Sequence, residues 1–161
     1  MCTGVRFADA AGNLYFGRNL DWCESYGEGV VITPRGASIP TQFLGSLSPE
    51  HACVGMGIVV GGVPCYFDCA NEAGLAIAGL NFPGYAQFAE APEEGAVNVA
   101  AYEFPLWVAA SFSTVAEVRE ALKGVVIVAK APSEGYGVAQ LHWLVGDGKE
   151  SIVIECQADG M

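Results

Sequence analysis

The second residue constrains this chain more than any other. The opening Met1-Cys2-Thr3-Gly4 places a small residue after the initiator, which lets an aminopeptidase remove Met1. Cys2 then carries a thiol and a free α-amine on one residue. A thiol of pKa about 8.5 beside an α-amine of about 7.7–8.0 is a nucleophile with its own base, because the amine can take the thiol proton near neutrality. Such a unit is a variant of the catalytic triad that needs no histidine. Many chains carry Cys after Met by accident, so the position alone decides nothing and the surrounding residues must.

Composition narrows the class. The 161 residues are one domain's worth of chain, 52% hydrophobic and 16% charged, too apolar for disorder and enough for a sizeable core. No run approaches the ~18 uninterrupted apolar residues of a membrane helix, and no basic segment followed by an apolar one opens the chain. The expectation is a cytoplasmic protein with no signal peptide and no membrane partner. A net charge of −11, with seven basic residues scattered singly, excludes a nucleic-acid footprint and disfavours an anionic membrane surface. Local arginines still leave a small anionic substrate open. Six cysteines stand at 2, 23, 53, 65, 69 and 156, with no C-x-x-C pair and only His51 and His142 beside them. They predict neither a zinc site nor a disulfide framework, so no metal and no cofactor is expected. Five of the six read as small buried hydrophobes, which sets Cys2 apart.

Residues 3–8 and 14–18 are strand-like, and the Gly12-Asn13 pair between them reads as a hairpin turn. The hairpin folds Gly17-Arg18-Asn19-Leu20-Asp21-Trp22 back alongside Cys2. Arg18 is then placed to favour the thiolate, and Asp21 to accept hydrogen bonds from the terminal amine and orient it. Away from an N-terminal cysteine the same Arg-x-x-Asp is an ordinary surface pair. Further on, 29–33 reads as a strand and 37–52 as a loop, in which His51 is a weak candidate base. Residues 54–60 read as a strand buried on both faces, and 64–69 as the next strand after a Gly61-Gly62 turn. A strand at 75–80 ends in Asn81, before Phe82-Pro83-Gly84. A side-chain amide there can donate to a developing oxyanion, although asparagine is also simply a favoured turn residue. The acidic stretch 86–97 reads as a solvated loop. Residues 99–111 read as a helix with Pro105 near its first turn, and Ser113 or Thr114 as the cap of a second helix to about Lys123. Strands at 125–129, 141–145 and 151–155 follow, the last two joined across 146–149, with His142 a structural strand residue. Strands, two helices, then strands indicate an α+β domain with layered sheets.

Taken together, Met1-Cys2-Thr3-Gly4, Gly17-Arg18-Asn19-Leu20-Asp21-Trp22, Asn71-Glu72-Ala73-Gly74-Leu75 and Gly79-Leu80-Asn81-Phe82-Pro83-Gly84-Tyr85 closely resemble the choloylglycine hydrolase family, which comprises bile salt hydrolases and penicillin V acylases. The likeness runs the length of the chain, through Tyr66-Phe67-Asp68-Cys69 and Phe104-Pro105-Leu106-Trp107. It implies an N-terminal-nucleophile αββα sandwich in which Cys2 attacks the amide of a glycine- or taurine-conjugated bile salt once Met1 is removed. By the same resemblance Arg18 and Asp21 tune the Cys2 thiol and amine, and Asn81 helps bind the oxyanion. An asparagine there, where the acylases tend to carry tyrosine, leans towards bile salts. By the same resemblance Leu20, Trp22–Gly27, Ile58–Cys65 and Ala129–Ala139 fall where the family's pocket residues and loops lie, with Leu20, Trp22, Tyr26, Ile58, Val60, Cys65, Ala129 and Gly137 as the candidate contacts, and their mainly apolar character suits a steroid face.

Family members are considerably longer, and a further catalytic asparagine and arginine lie in their C-terminal half. The resemblance therefore implies that residues 1–161 are the N-terminal portion of a single such domain. It also implies that the chain alone is inactive or nearly so, and that the full-length protein is a homo-oligomer. The alternatives are a penicillin V acylase using the same machinery on another side chain, and a non-catalytic bile-acid-binding module.

Overall fold

Alternation of side chains along each strand decides which layer meets which in this protein. The structure, a computed structural model, describes residues 2–161. In chain order its elements are β1 (Thr3–Ala8), β2 (Leu14–Asn19), β3 (Gly29–Thr33), β4 (Ile39–Thr41), β5 (Gly45–Leu47), β6 (Cys53–Val60), β7 (Val63–Asn71), β8 (Ala76–Asn81) and β9 (Val97–Ala100). Then come α1 (Phe104–Ser111), α2 (Val115–Ala121) with a 3-10 turn at Leu122–Gly124, β10 (Val125–Val128), β11 (Leu141–Gly146) and β12 (Ser151–Ile154). Six strands form one antiparallel sheet in the order β12-β11-β8-β7-β6-β3. The β1–β2 and β4–β5 hairpins are separate antiparallel pairs, and β9 with β10 is a parallel one. This is the α+β architecture that the order of elements in the sequence indicates.

On β11 Trp143 and Val145 face one way, and Leu144 and the position of Gly146 the other. Helix α1 covers the first set. Phe104 packs on Trp143 with ring centroids 4.6 Å apart, and the Cys69 thiol of β7 donates to Pro105 O at 3.6 Å. From Phe104 to Ala110 the helix is buried, because it is apolar all round and can rest only where every side is covered. Pro105 sits in its first turn, where a missing N–H leaves no hydrogen bond unmade. The β1–β2 hairpin covers the second set. A side chain on Gly4 would meet Leu144 and Leu80, and one on Gly146 would meet Phe16. Asp9 sets the hairpin's turn, its carboxylate accepting from the N–H groups of Ala11 and Asn13.

Tertiary pairing overrides the sequence reading in several places. The strand expected at 54–60 runs over Cys53–Val60 and is not buried on both faces: Val54 and Met56 are exposed, because the hairpin covers only the β8–β11 side of their face, and Val59 is exposed on the opposite face. Residues 37–52 are not all loop, since Ile39–Thr41 and Gly45–Leu47 pair as a short hairpin. The helix expected at 99–111 starts only at Phe104. Val99 and Ala100 are strand residues, taken up by the parallel partners Ile127 and Val128. A continuous apolar run carries no period with which to separate the two. Of the cysteines expected to be buried, Cys53, Cys65, Cys69 and Cys156 are, whereas Cys23 is exposed.

Candidate active site

The site exists because one strand has one residue too many. β6 and β7 pair from Cys53↔Asn71 to Met56↔Asp68, slip, and resume at Gly57↔Tyr66, which leaves Phe67 as the extra residue. A bulge of this kind bends its strand. β7 accordingly pairs with β8 only over residues 68–70, and beyond Asp68↔Ala78 the sheet opens. Glycines on β6 permit the bend. A Cβ on Gly55 would lie 2.6 Å from Cys69 Cα, and one on Gly57 2.9 Å from Tyr66 Cα, so neither position has room for a side chain. Cys65, Tyr66 and Phe67 form one lip of the opening, and Gly79 and Asn81 the other, around a cavity of about 530 Å³.

Cys2 reaches this cavity from the hairpin and is half-buried there. The pairs Thr3↔Asn19 and Gly4↔Arg18 bring Arg18 in alongside it. The Arg18 side chain is only 7% exposed. Its guanidinium donates to Gly79 O, from Nη2 at 2.7 Å and from Nε at 3.3 Å, and lies 3.7 Å from the Asp68 carboxylate. Gly79 stands one residue past the last β7–β8 pair, so the arginine occupies a carbonyl to which the bulged strand offers no partner. Burial raises the Asp68 carboxyl above the usual range, and the charge of Arg18 opposes the rise. Asn81 ends β8 opposite Leu141. The turn after it is held by two bonds to Gln140, the residue before β11: Phe82 N–H donates to Gln140 O at 2.8 Å, and Gly84 N–H to Gln140 Oε1 at 2.9 Å.

The apolar wall comes mostly from the segments anticipated in the sequence. Leu20, Trp22, Tyr26, Ile58, Cys65 and Gly137 all line the cavity. Trp22 Nε1 donates to Tyr26 Oη at 3.0 Å, and the Tyr26 ring meets Phe67 at 6.0 Å and Tyr136 at 6.2 Å. Val60 and Ala129 do not line it. Val60 closes β6, and the Ala129 N–H is bonded to Ala89 O at 2.8 Å. Asp21 is exposed between Leu20 and Trp22 and is not part of the lining. The α-amine expected on Cys2 depends on loss of Met1, which lies outside the described residues. Cys65 shares the cavity with Cys2, but burial pushes its thiol up to about 11, which keeps it protonated and unreactive.

The sequence reading did not single out Phe67 or Tyr102, which also line the cavity, nor Asp68 as the partner of Arg18, whereas Lys130 lies within the expected 129–139 segment. The available signal was Glu103, an acid inside an apolar run, which marks Tyr102-Glu103 as something other than plain core. Both histidines lie outside the cavity. His51 Nε2 is 3.0 Å from Ser113 Oγ, and His142 pairs with Glu155 at 3.0 Å while stacking on Phe82 at 4.6 Å. Among the described residues no group of three or more His, Cys, Asp or Glu is placed to hold a metal ion, and no helix is long and apolar enough to cross a membrane. The lining of this mainly apolar cavity includes a thiol, a guanidinium and a side-chain amide, from Cys2, Arg18 and Asn81.

The model of the linear amide C–N hydrolases, choloylglycine hydrolase family, matches residues 2–161. The chain belongs to the choloylglycine hydrolase family. It is 57% identical over 162 residues to the bile salt hydrolase/transferase of Bifidobacterium longum subsp. longum, a match that covers 100% of this chain and 51% of the relative. Its fold is similar to that of the C2A variant of the conjugated bile acid hydrolase from Clostridium perfringens, with TM-score 0.94 and 37% identity over 99% of this chain and 49% of that one. Penicillin V acylase from Agrobacterium tumefaciens, at TM-score 0.73 and 20% identity over 100% of this chain and 48% of the other, shares the fold alone. The chain thus spans about half the length of the choloylglycine hydrolase relatives that it matches.

Proposed function

We propose that this chain is the nucleophile-bearing, N-terminal portion of a bile salt hydrolase. One observation carries the reading: a half-buried cysteine at position 2 opens into an apolar cavity roomy enough for a steroid. With Met1 removed, the Cys2 thiol gives its proton to its own α-amine, and the thiolate attacks the amide carbonyl of a glycine- or taurine-conjugated bile salt. Asn81 donates to the oxyanion that forms, Asp21 orients the α-ammonium, and Arg18 supplies positive charge near the sulfur. The C–N bond breaks as the α-ammonium passes its proton to the departing glycine or taurine, leaving an acyl thioester on Cys2. Water then attacks the thioester, giving one proton to the α-amine, and the free bile acid leaves as Cys2 regains its thiol. The apolar wall of Leu20, Trp22, Tyr26, Ile58, Cys65 and Gly137 takes the steroid face.

The names of the closely similar relatives favour bile salts over penicillin V as substrate, since the acylase likeness is one of fold alone. Six free thiols suit a reducing cytoplasm. Because the relatives are about twice as long, the reading expects this chain to bind conjugated bile salts and to turn them over slowly or not at all. The test begins with an intact mass that shows loss of Met1. Glycocholate, taurocholate and penicillin V are then compared for adducts on the protein and for released amine, with Cys2→Ala as control. A bile-acyl adduct or amine release that requires Cys2 and exceeds that from penicillin V supports the reading. Retention of Met1, release that survives Cys2→Ala, or a preference for penicillin V overturns it.

A further inference from the structure

We propose that Lys130 forms a subsite for an oxygen-bearing group, a hydroxyl or a sulfate ester, at the end of the bound ligand's apolar body farthest from the scissile amide. This deepens the proposed function and rests on it, since it takes the amide to lie at Cys2. The wall that runs from Lys130 to Leu141 orients the cavity. At one end Leu141 pairs with Asn81, beside the reacting groups. At the other, Val128 O accepts from Ala101 N–H at 3.0 Å, which sets the start of the wall next to Ala101 and Tyr102. Lys130 and Tyr102 both line the cavity, and a ligand held by its amide at the Asn81 end extends along the wall toward them.

Two cations line the cavity, and they differ in what they hold. Arg18 is committed to Gly79 O and Asp68. Lys130 has no ion-pair partner among the described residues, although Arg35, Arg119 and Lys123 each sit on a glutamate in this chain of net charge −11. Lys130 is exposed at the rim of the cavity, and its ammonium, with three donors and no acceptor, can turn to an oxygen of a ligand that reaches it. A second observation marks the same end as polar. Behind Tyr102 and Cys65 lies Glu103, 2% exposed, its carboxylate interacting with the Tyr102 phenol and its Oε1 accepting from Gln42 N–H at 2.8 Å. A ligand hydroxyl here accepts from Lys130 and donates to the phenol oxygen of Tyr102, whereas a sulfate ester engages Lys130 alone.

Three taurine conjugates separate these cases: those of cholanic acid, which has no ring hydroxyl, of lithocholic acid, whose single hydroxyl is on the ring farthest from the side chain, and of lithocholic acid sulfated there. Titration calorimetry on the 161-residue chain carrying Cys2→Ala, which blocks turnover, gives the three dissociation constants. The oxygen-bearing conjugates should bind about tenfold tighter than the cholanic one, the fold-change expected of one hydrogen bond to a charged donor. Lys130→Met should bring the sulfate conjugate to within about twofold of the cholanic one, whose own affinity stays unchanged, and weaken the hydroxyl conjugate to the part that Tyr102 retains, and Lys130→Arg should restore the sulfate. Tyr102→Phe should weaken the hydroxyl conjugate and leave the sulfate one unaltered. Equal binding of all three, or a preference for the sulfate that survives Lys130→Met, overturns the subsite and leaves the proposed function in place. Failure of all three to bind removes both.

Discussion

Arg18 holds together the parts of the candidate site that come from different layers. It stands beside Cys2 on the hairpin, bonds a carbonyl of β8 and faces a carboxylate of β7. Arg18→Leu leaves Gly79 O and the half-buried Asp68 without that partner, and the expected loss is about 1–3 kcal/mol in urea denaturation. Arg18→Lys should recover only part of it, because a point charge cannot bond the carbonyl through two N–H groups at once. Glu72 supplies a second test at this scale. Its bonds to Arg35, and then to the Ala52 N–H, pull its carboxyl down to about 2. A depressed carboxylate stabilises the fold above its unfolded pKa and ceases to as pH falls through the folded one. The difference in Tm between the parent and Glu72→Gln should therefore be full above about pH 5 and vanish near pH 2; a gap that widens on acidification would contradict the assignment. Cys2, Arg18 and Asn81 were legible in the sequence because a hairpin and a strand end place them by local rules alone. Asp68 was not, since its meeting with Arg18 depends on a bulge that no residue near Arg18 announces. Val60 and Ala129 show the opposite error, in which a neighbour of the lining segments is mistaken for part of the lining.

Among the elements, those closed by turn and cap chemistry could be read directly. Gly12-Asn13 and residues 146–149 turn hairpins, and Thr114 caps α2 in a reciprocal box with Glu117. Thr114→Ala should cost about 1 kcal/mol, visible as a fall in Tm with the fold otherwise intact. Elements defined by a distant partner were not legible, as with Val97–Ala100, whose strand conformation is decided by β10. The bulge belongs to this class too. Its sequence trace is indirect, the two glycines of Cys53–Val60 rather than anything at Phe67 itself. Gly55→Ala forces a Cβ into the backbone of β7 and should lose about 1–3 kcal/mol or more, whereas Gly29→Ala, with open space around it, should stay within about 0.5 kcal/mol. Equal melting of the two variants would show that the close approach of β6 to β7 does not matter.

Over the whole molecule, one face of the sheet is only partly covered. Ile32 lies opposite Val54 and Val30 opposite Met56, on the same face as the hairpin but beyond its reach. Their exposures are 71%, 48%, 71% and 38%, so four adjoining apolar side chains face outward. A contiguous apolar strip of this kind favours association in water. Sedimentation of the 161-residue chain should show mass rising with concentration, and Ile32→Lys with Val54→Lys should suppress it without altering the far-ultraviolet circular dichroism. The opening beyond Asp68↔Ala78 has a consequence at this scale as well. A sheet is ordinarily a partition, and what is mounted on one side has no access to the other. Here the partition has a porthole. Cys2 and Arg18 on the hairpin side and Tyr102 ahead of α1 line one space, although they stand in separate layers. The stretch from Lys130 to Gln140 closes that space along one side, as a gasket set between the two.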